Sequence, residues 1–186
     1  MKMLIIVKAG GKVLKNNLSE IAANIKNIIN NNENQVVFVH GGGIEVTLIA
    51  EKLGEKQMFV TSPEGFRSRY TDKNTIKIYN MVMSGKVNKD DVCVFQGCGI
   101  PCIGISGADG LLLKAKKKEK MIIVDERGRK RVVDAGFTGK IRKVNAELLK
   151  LLIKNGYVPV ISPVAISEEF ELLNVDSDRA ADVIAG

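Results

Sequence analysis

Lys8 stands at the end of an apolar run, Ile5-Ile6-Val7, and immediately before Ala9-Gly10-Gly11. A lysine followed by backbone without side chains brings one positive charge and several amide N–H groups up to an anion, above all a phosphate. A second apolar run, Val36-Val37-Phe38-Val39, ends in His40-Gly41-Gly42-Gly43. Two Gly-rich turns at the same end of one sheet would face a common crevice, where open α/β sheets bind ligands. The glycine spacing fits neither a Walker A loop nor the Gly-x-Gly-x-x-Gly fingerprint, and either turn alone would equally suit a plain strand-to-helix connection. Arg67 and Arg69 would point the same way from an extended segment, which suits a carboxylate but equally describes two solvated loop arginines. Asn174, Asp176 and Asp178 alternate, so they share a face if the chain there is extended. At a helix start the acids would instead serve the dipole as caps.

Composition narrows the chemistry. The 186 residues suffice for one large α/β domain, and 45% hydrophobic with 26% charged residues describes an ordinary globule. No apolar run approaches the roughly 18 residues of a membrane span and the N-terminus has no signal-peptide pattern, so a cytoplasmic protein without a membrane partner is expected. Cys93, Cys98 and Cys102 match neither a zinc site nor a disulfide framework, which points to buried or half-buried thiols and no metal centre. His40 is the only histidine, so acid–base work would fall to Lys, Asp or Glu. The net charge of +7 suggests an acidic partner or polyanionic substrate. Its excess gathers at Lys114, Lys116, Lys117, Lys118 and Lys120 and at Arg127, Arg129, Lys130 and Arg131. Aromatics make up 5% and Trp is absent, so no stacking platform for nucleic acid accompanies that charge.

The elements that must position these residues follow from period and punctuation. Residues 18–29 carry a helical stripe, Leu18, Ile21, Ala22, Ile25, Ile28 and Ile29, with Ser19 or Asn17 as cap. Residues 30–34 form a polar connector, and strand, helix and strand make a βαβ unit. Residues 44–53 read as a helix stopped by Gly54, and Asp72 caps a helix over 73–83 that buries Ile76, Tyr79, Asn80 and Met83. Residues 91–95 continue a helix, 100–105 form a buried strand, and Ser106-Gly107-Ala108-Asp109-Gly110 is a tight turn. Residues 111–134 read as a β-hairpin excursion with basic residues on both arms, whose lysines would also guard an edge. Residues 146–154 form a helix with Leu148, Leu149, Leu152 and Ile153 inward and Gly156 as stop, and 157–164 form a buried strand. A last helix covers 179–185, and a chain that stops within it looks unfinished.

Seven motifs in this order, Lys8-Ala9-Gly10-Gly11, His40-Gly41-Gly42-Gly43, Arg67-Ser68-Arg69-Tyr70-Thr71-Asp72, Gly85-Lys86-Val87-Asn88-Lys89, Ser106-Gly107-Ala108-Asp109-Gly110, Gly136-Phe137-Thr138-Gly139-Lys140-Ile141 and Asn174-Val175-Asp176-Ser177-Asp178, resemble those of the amino acid kinase family over essentially the whole chain. Within it the likeness is to N-acetylglutamate kinases and their archaeal relatives that act on aminoadipate or glutamate attached to an amino-group carrier protein. The resemblance implies a three-layer α/β/α fold with a mainly parallel central sheet, as in carbamate kinase-like folds. It implies that residues 1–186 form one N-terminal acyl-substrate lobe, with the C-terminal nucleotide lobe absent. ATP and Mg2+ are the implied cofactors and a homodimer the implied assembly. Lys8 and Asp178 would be catalytic, the lysine stabilising the transferring phosphoryl group and the aspartate orienting it. Gly10 and Gly11 would bind phosphate; Gly42, Gly43, Arg69 and Asn174 would bind substrate. Asp176 departs from the asparagine usual in this motif and adds a negative charge near an anionic site.

Phosphoryl transfer to a carboxylate asks mainly for positioning and charge neutralisation, which a lysine on a Gly-rich strand end supplies. An acidic carrier protein would dock on Lys116, Lys117, Lys118, Lys120, Arg129, Lys130 and Arg131. The reading is therefore a kinase of carrier-linked aminoadipate or glutamate in lysine or arginine biosynthesis. N-acetylglutamate kinase is the nearest alternative, and a catalytically silent substrate-lobe binding module is the alternative of another class.

Overall fold

The computed structural model describes residues 3–32 and 34–186. Its centre is a parallel sheet of β1 (Leu4–Ala9), β2 (Gln35–His40), β10 (Val158–Ser162) and β5 (Cys102–Ser106), in the order β1-β2-β10-β5. Both faces of β2 are buried, and its alternation assigns each side chain to a layer. Val36 and Phe38 pack with Leu14, Ala22 and Ile25 of α1 (Gly11–Asn32) and Phe95 of α4 (Asn88–Gly97). Val37 and Val39 pack with Leu149 of α5 (Ala146–Lys154) and Ala180 of α6 (Ser177–Ala185). The expected three-layer α/β/α fold is therefore present. No helix among the described residues is long and apolar enough to cross a membrane.

Two further sheets rise above the carboxyl ends of these strands. One contains β12 (Leu172–Asn174), β11 (Val164–Ile166), β6 (Leu113–Lys117) and β9 (Gly139–Val144). The other contains β4 (Arg67–Arg69), β3 (Phe59–Thr61), β7 (Lys120–Val124) and β8 (Lys130–Asp134). The hairpin expected over 111–134 is thus shorter: β7 and β8 form it, while β6 pairs with β9 in the other sheet. Alternation decides this, because Leu113 and Ala115 are buried in the core whereas the β7–β8 hairpin exposes Ile122 and Val132.

Several local expectations shift. The first helix begins at Gly11, earlier than the apolar stripe, because the Gly10 carbonyl accepts from the Val13 and Leu14 amides at 3.0 Å. Asn17 is a non-helical kink inside it, its amide donating to the Val13 carbonyl, and caps nothing. The helix continues to Asn32, so the polar connector is mostly helical, and its Glu33 lies outside the described residues. α2 (Gly43–Lys52) ends before Gly54, which takes φ +77°. Asp72 caps α3 (Lys73–Asn80) by accepting from the Asn74 and Thr75 amides. A π-helical segment, Met81–Val87, then carries the chain into α4 without a break. Asn80 is only partly buried, and Cys93 is exposed, unlike the buried Cys102.

Candidate active site

The two Gly-rich turns meet because β1 and β2 are parallel neighbours that end together, Ala9 opposite His40. Their backbones touch. A Cβ on Gly11 would lie 3.1 Å from the Gly42 Cα, and one on Gly41 would lie 3.2 Å from the Gly11 nitrogen. A Cβ on Gly42 would fall 2.7 Å from the Met83 sulfur. The Gly41 amide donates to the Ala9 carbonyl at 2.8 Å, tying one turn to the other. Gly42 precedes α2 with no side-chain cap, so the first amides of that helix are left for a ligand.

These turns floor a crevice of about 1210 Å³. The Lys8 ammonium lies beside Gly10, 3.8 Å from where a Cβ on that residue would fall, and 2.8 Å from the Asp178 carboxylate; neither Lys8 nor Asp178 is among the residues lining the crevice. Their side chains are 26% and 71% exposed, so the pair is worth at most about 1 kcal/mol of stability. Its consequence is orientation: β1 and the first turn of α6 fix where the ammonium points.

Arg67 and Arg69 do share a face, since β4 is extended and both guanidinium groups lie over the Phe59 ring, at 4.4 and 5.0 Å. Their environments differ. Arg69 is 9% exposed, donates to the Gly43 carbonyl at 2.7 Å, to Thr47 Oγ1 at 2.8 Å and to Gln57, and burial lowers its pKa. It braces the glycine turn with most of its donors. Both arginines line the crevice, but Arg67 is exposed and has its donors available. Thr47 falls one helical turn after Gly43, a spacing that could have singled it out in the sequence.

Asn174 also lines the crevice, its amide donating to Thr71 Oγ1 at 2.9 Å. The extended face imagined for Asn174, Asp176 and Asp178 does not exist. Asn174 ends β12, Asp176 is the N-cap of α6 and accepts from the Arg179 amide at 3.0 Å, and Asp178 lies in that helix's first turn. Capping accounts for the extra charge of Asp176.

The basic residues divide into groups. Arg129 and Arg131 are held by Asp125, whose pKa they draw down to about 2, Arg131 most of all. Lys117 pairs with Glu171 at 2.9 Å and lies over Phe137. Lys120 and Lys130 are exposed on the β7–β8 hairpin, opposite Asp134 and Val124. Across the β6–β9 ladder Lys114 faces Lys143 and Lys116 faces Lys140. Lys118 and Lys140 line the crevice itself, together with Lys12. Like charges directly opposed cost stability, so this strip favours an anion lying on it. Lys116, Lys117, Lys118 and Lys120 of the expected docking surface line a second groove with Arg142, Glu119, Glu168, Glu169 and Glu171, whereas Arg129, Lys130 and Arg131 belong to the β7–β8 hairpin and do not line it.

His40 is wholly buried, and burial lowers its pKa to about 4. No His, Cys, Asp and Glu group able to hold a metal ion occurs among the described residues.

Residues 3–186 match the model of the amino acid kinase family. A Nitrosopumilus maritimus protein with the provisional name LysW-aminoadipate/LysW-glutamate kinase is 51% identical over 98% of this chain and 68% of its own length. The LysW-aminoadipate/LysW-glutamate kinase of Saccharolobus solfataricus is 44% identical over 98% of this chain and 67% of its own. Among solved structures, a Streptococcus mutans protein superposes with a TM-score of 0.80 at 20% identity, covering 98% of this chain and 67% of its own. An N-acetylglutamate synthase from Neisseria gonorrhoeae gives 0.73 at 20% identity, covering 99% and 38%. Those two likenesses show the fold, and the sequence relatives together with the family match carry the classification: the chain belongs to the amino acid kinase family.

Proposed function

We propose that this chain contains the acceptor-binding half of a kinase that transfers the γ-phosphoryl group of ATP to the side-chain carboxylate of aminoadipate or glutamate linked to an acidic amino-group carrier protein. The product is an acyl phosphate, formed in lysine or arginine biosynthesis. The observation that supports this best is the pair of touching Gly-rich turns, which line one crevice with Arg67, Arg69 and Asn174 and have the Lys8 ammonium beside Gly10. Relatives 44–51% identical that carry the corresponding kinase name support the choice of acceptor.

In this reading a carboxylate oxygen attacks the γ-phosphorus, that O–P bond forms, and the bond to the β-phosphate oxygen breaks, the electron pair leaving with ADP. The nucleophile is already an anion, so no base is required, in keeping with a single buried, neutral histidine. Lys8 and the amides of Gly10, Gly11, Gly42 and Gly43 neutralise charge on the group in flight. Asp178 holds Lys8 in place. Arg67 and Asn174 take the acceptor's polar end, and Arg69 works from behind, through the Gly43 carbonyl. The described residues do not fit a resident Mg2+; one bound by the nucleotide's own phosphates would need no such cluster. The carrier protein lies along Lys116, Lys118, Lys140, Arg142 and Lys143, with Lys120 and Lys130 flanking. A cytoplasmic homodimer is part of the same reading.

The test is an ATP-dependent hydroxamate assay on the full-length gene product. It compares free N-acetylglutamate with carrier protein loaded with aminoadipate or glutamate. Turnover with the loaded carrier alone, weakened by salt, is expected; turnover with free N-acetylglutamate would move the assignment to that kinase, and none with either would leave a binding module.

A further inference from the structure

The Gly85-Lys86-Val87-Asn88-Lys89 motif has no part in the chemistry above, yet Asn88 is wholly buried and reaches the Gly-rich turn of β2. Its Nδ2 donates to the Val160 carbonyl at 2.9 Å and lies 3.2 Å from His40 Nε2. Its Oδ1 accepts from the Lys89 ammonium at 2.8 Å, and that ammonium also donates to the Gly104 carbonyl at 2.9 Å. The amide can sit only one way round, because the flipped form would turn Oδ1 on the Val160 carbonyl and Nδ2 on the ammonium. Both Nδ2 hydrogens are then committed, so His40 Nε2 must accept. The single proton of the neutral imidazole consequently rests on Nδ1, 3.3 Å from the Gly41 carbonyl oxygen. Gly104 leaves the necessary room: a Cβ there would fall 2.1 Å from Asn88 Oδ1 and 2.8 Å from the Lys89 nitrogen.

The Gly41 carbonyl and the Gly42 N–H belong to one planar trans peptide, so fixing the first turns the second to the opposite side, away from the imidazole. The Gly41 amide is held at its other end by the Ala9 carbonyl.

We propose that Asn88 and His40 are positioning residues that set the orientation of the Gly41–Gly42 peptide, and with it the Gly42 N–H offered to the bound phosphoryl group. This rests on the kinase reading for what the N–H serves, though the hydrogen-bond chain itself does not. Asn88→Asp is nearly isosteric but accepts only, so it moves the imidazole proton to Nε2 and sets a bare Nδ1 against the Gly41 carbonyl.

The experiment uses 15N-labelled full-length protein. Ring-nitrogen shifts of His40 are recorded first in the wild type, where Nδ1–H is expected; an Nε2–H ring, or one that titrates between pH 6 and 7, overturns the proposal without any variant. In Asn88→Asp the proton is expected on Nε2. The Gly42 amide should then lose its response to inorganic phosphate, and kcat should fall by about 10–100-fold with KM for the acceptor within about threefold. A folded Asn88→Asp with the proton moved but with the Gly42 response and kcat unchanged also overturns it. Should the variant not fold, the wild-type ring decides. If the wild type shows no kinase turnover, the functional reading fails, while the ring shifts and the phosphate response still decide the positioning claim.

Discussion

At the scale of single residues the site separates charge that acts from charge that braces. Lys8→Ala should lower kcat by about 10²–10³-fold with little change in melting temperature, because the exposed Lys8–Asp178 pair contributes little to stability. Arg67→Ala should raise KM for the acceptor by about tenfold and leave stability unchanged, since the guanidinium is exposed and its donors are available. Arg69→Ala should instead lower stability, by roughly 2–3 kcal/mol, since it strips partners from Gly43, Thr47 and Gln57; urea unfolding and Michaelis kinetics on both variants separate the two roles. Asp91, 3% exposed with an unpartnered Oδ2, has its pKa pushed up to about 7, first by burial and then by Asp90. Its folded pKa exceeds the unfolded one, so it costs stability progressively as pH rises from about 4 to about 7. His40, lowered to about 4, works oppositely and costs stability as pH falls from about 6.5 to about 4. The two slopes nearly cancel. Asp91→Asn should therefore stabilise the protein at pH 8 by roughly 1–3 kcal/mol and leave stability rising with pH between 4 and 6.5, as urea unfolding across that range would show.

At the scale of elements the site depends on glycines where chains cross. Gly136 takes φ +59°, and a Cβ there would fall 2.3 Å from the Thr71 carbonyl oxygen. The Phe137 amide donates to that same carbonyl at 2.7 Å, so this crossing joins the β7–β8 hairpin to the wall that holds Asn174. Gly136→Ala should cost about 2 kcal/mol or more, read as a lower denaturation midpoint, and weaken acceptor binding as Asn174 loses its place beside Thr71. The parallel strands, their order in the chain and the helices around them were legible in apolar period and Gly punctuation. The partnership of β6 with β9 was not, since both edges of residues 111–134 carry lysines, and only burial of Leu113 and Ala115 in the core decides which strand turns inward. The π segment left no trace in the sequence either, because Met81–Val87 keeps an ordinary helical composition while Met83 and Val87 settle against Gly42.

For the whole molecule, a net charge of +7 acts through its placement. Lys116 and Lys140, opposed across the β6–β9 ladder, should steer an acidic partner more than Arg129 and Arg131, whose combined charge Asp125 halves. Reversing Lys116 and Lys140 together to Glu should raise KM for the carrier-linked acceptor by about tenfold at low salt, with the difference shrinking as salt is added. Reversing Arg129 and Arg131 should change it far less, and steady-state kinetics at two ionic strengths compares the pairs.

The sequence by itself determined the chemistry at hand and much of the frame that carries it: a lysine and two Gly-rich strand ends, a single histidine, and apolar periods that make a βαβ unit and its helices, because these follow from residue type and local spacing, while the three-layer arrangement was implied by the resemblance of the motifs. Tertiary structure decided which charges are free. Arg67 and Arg69 look alike at a spacing of two, yet only the approach of Gly43, Thr47 and Gln57 from distant segments turns Arg69 into a brace. Likewise Asp178 reaches Lys8, Asp176 becomes a cap, and Asn88 finds His40, because those partners are set by how layers pack across long stretches of chain, which no local pattern encodes.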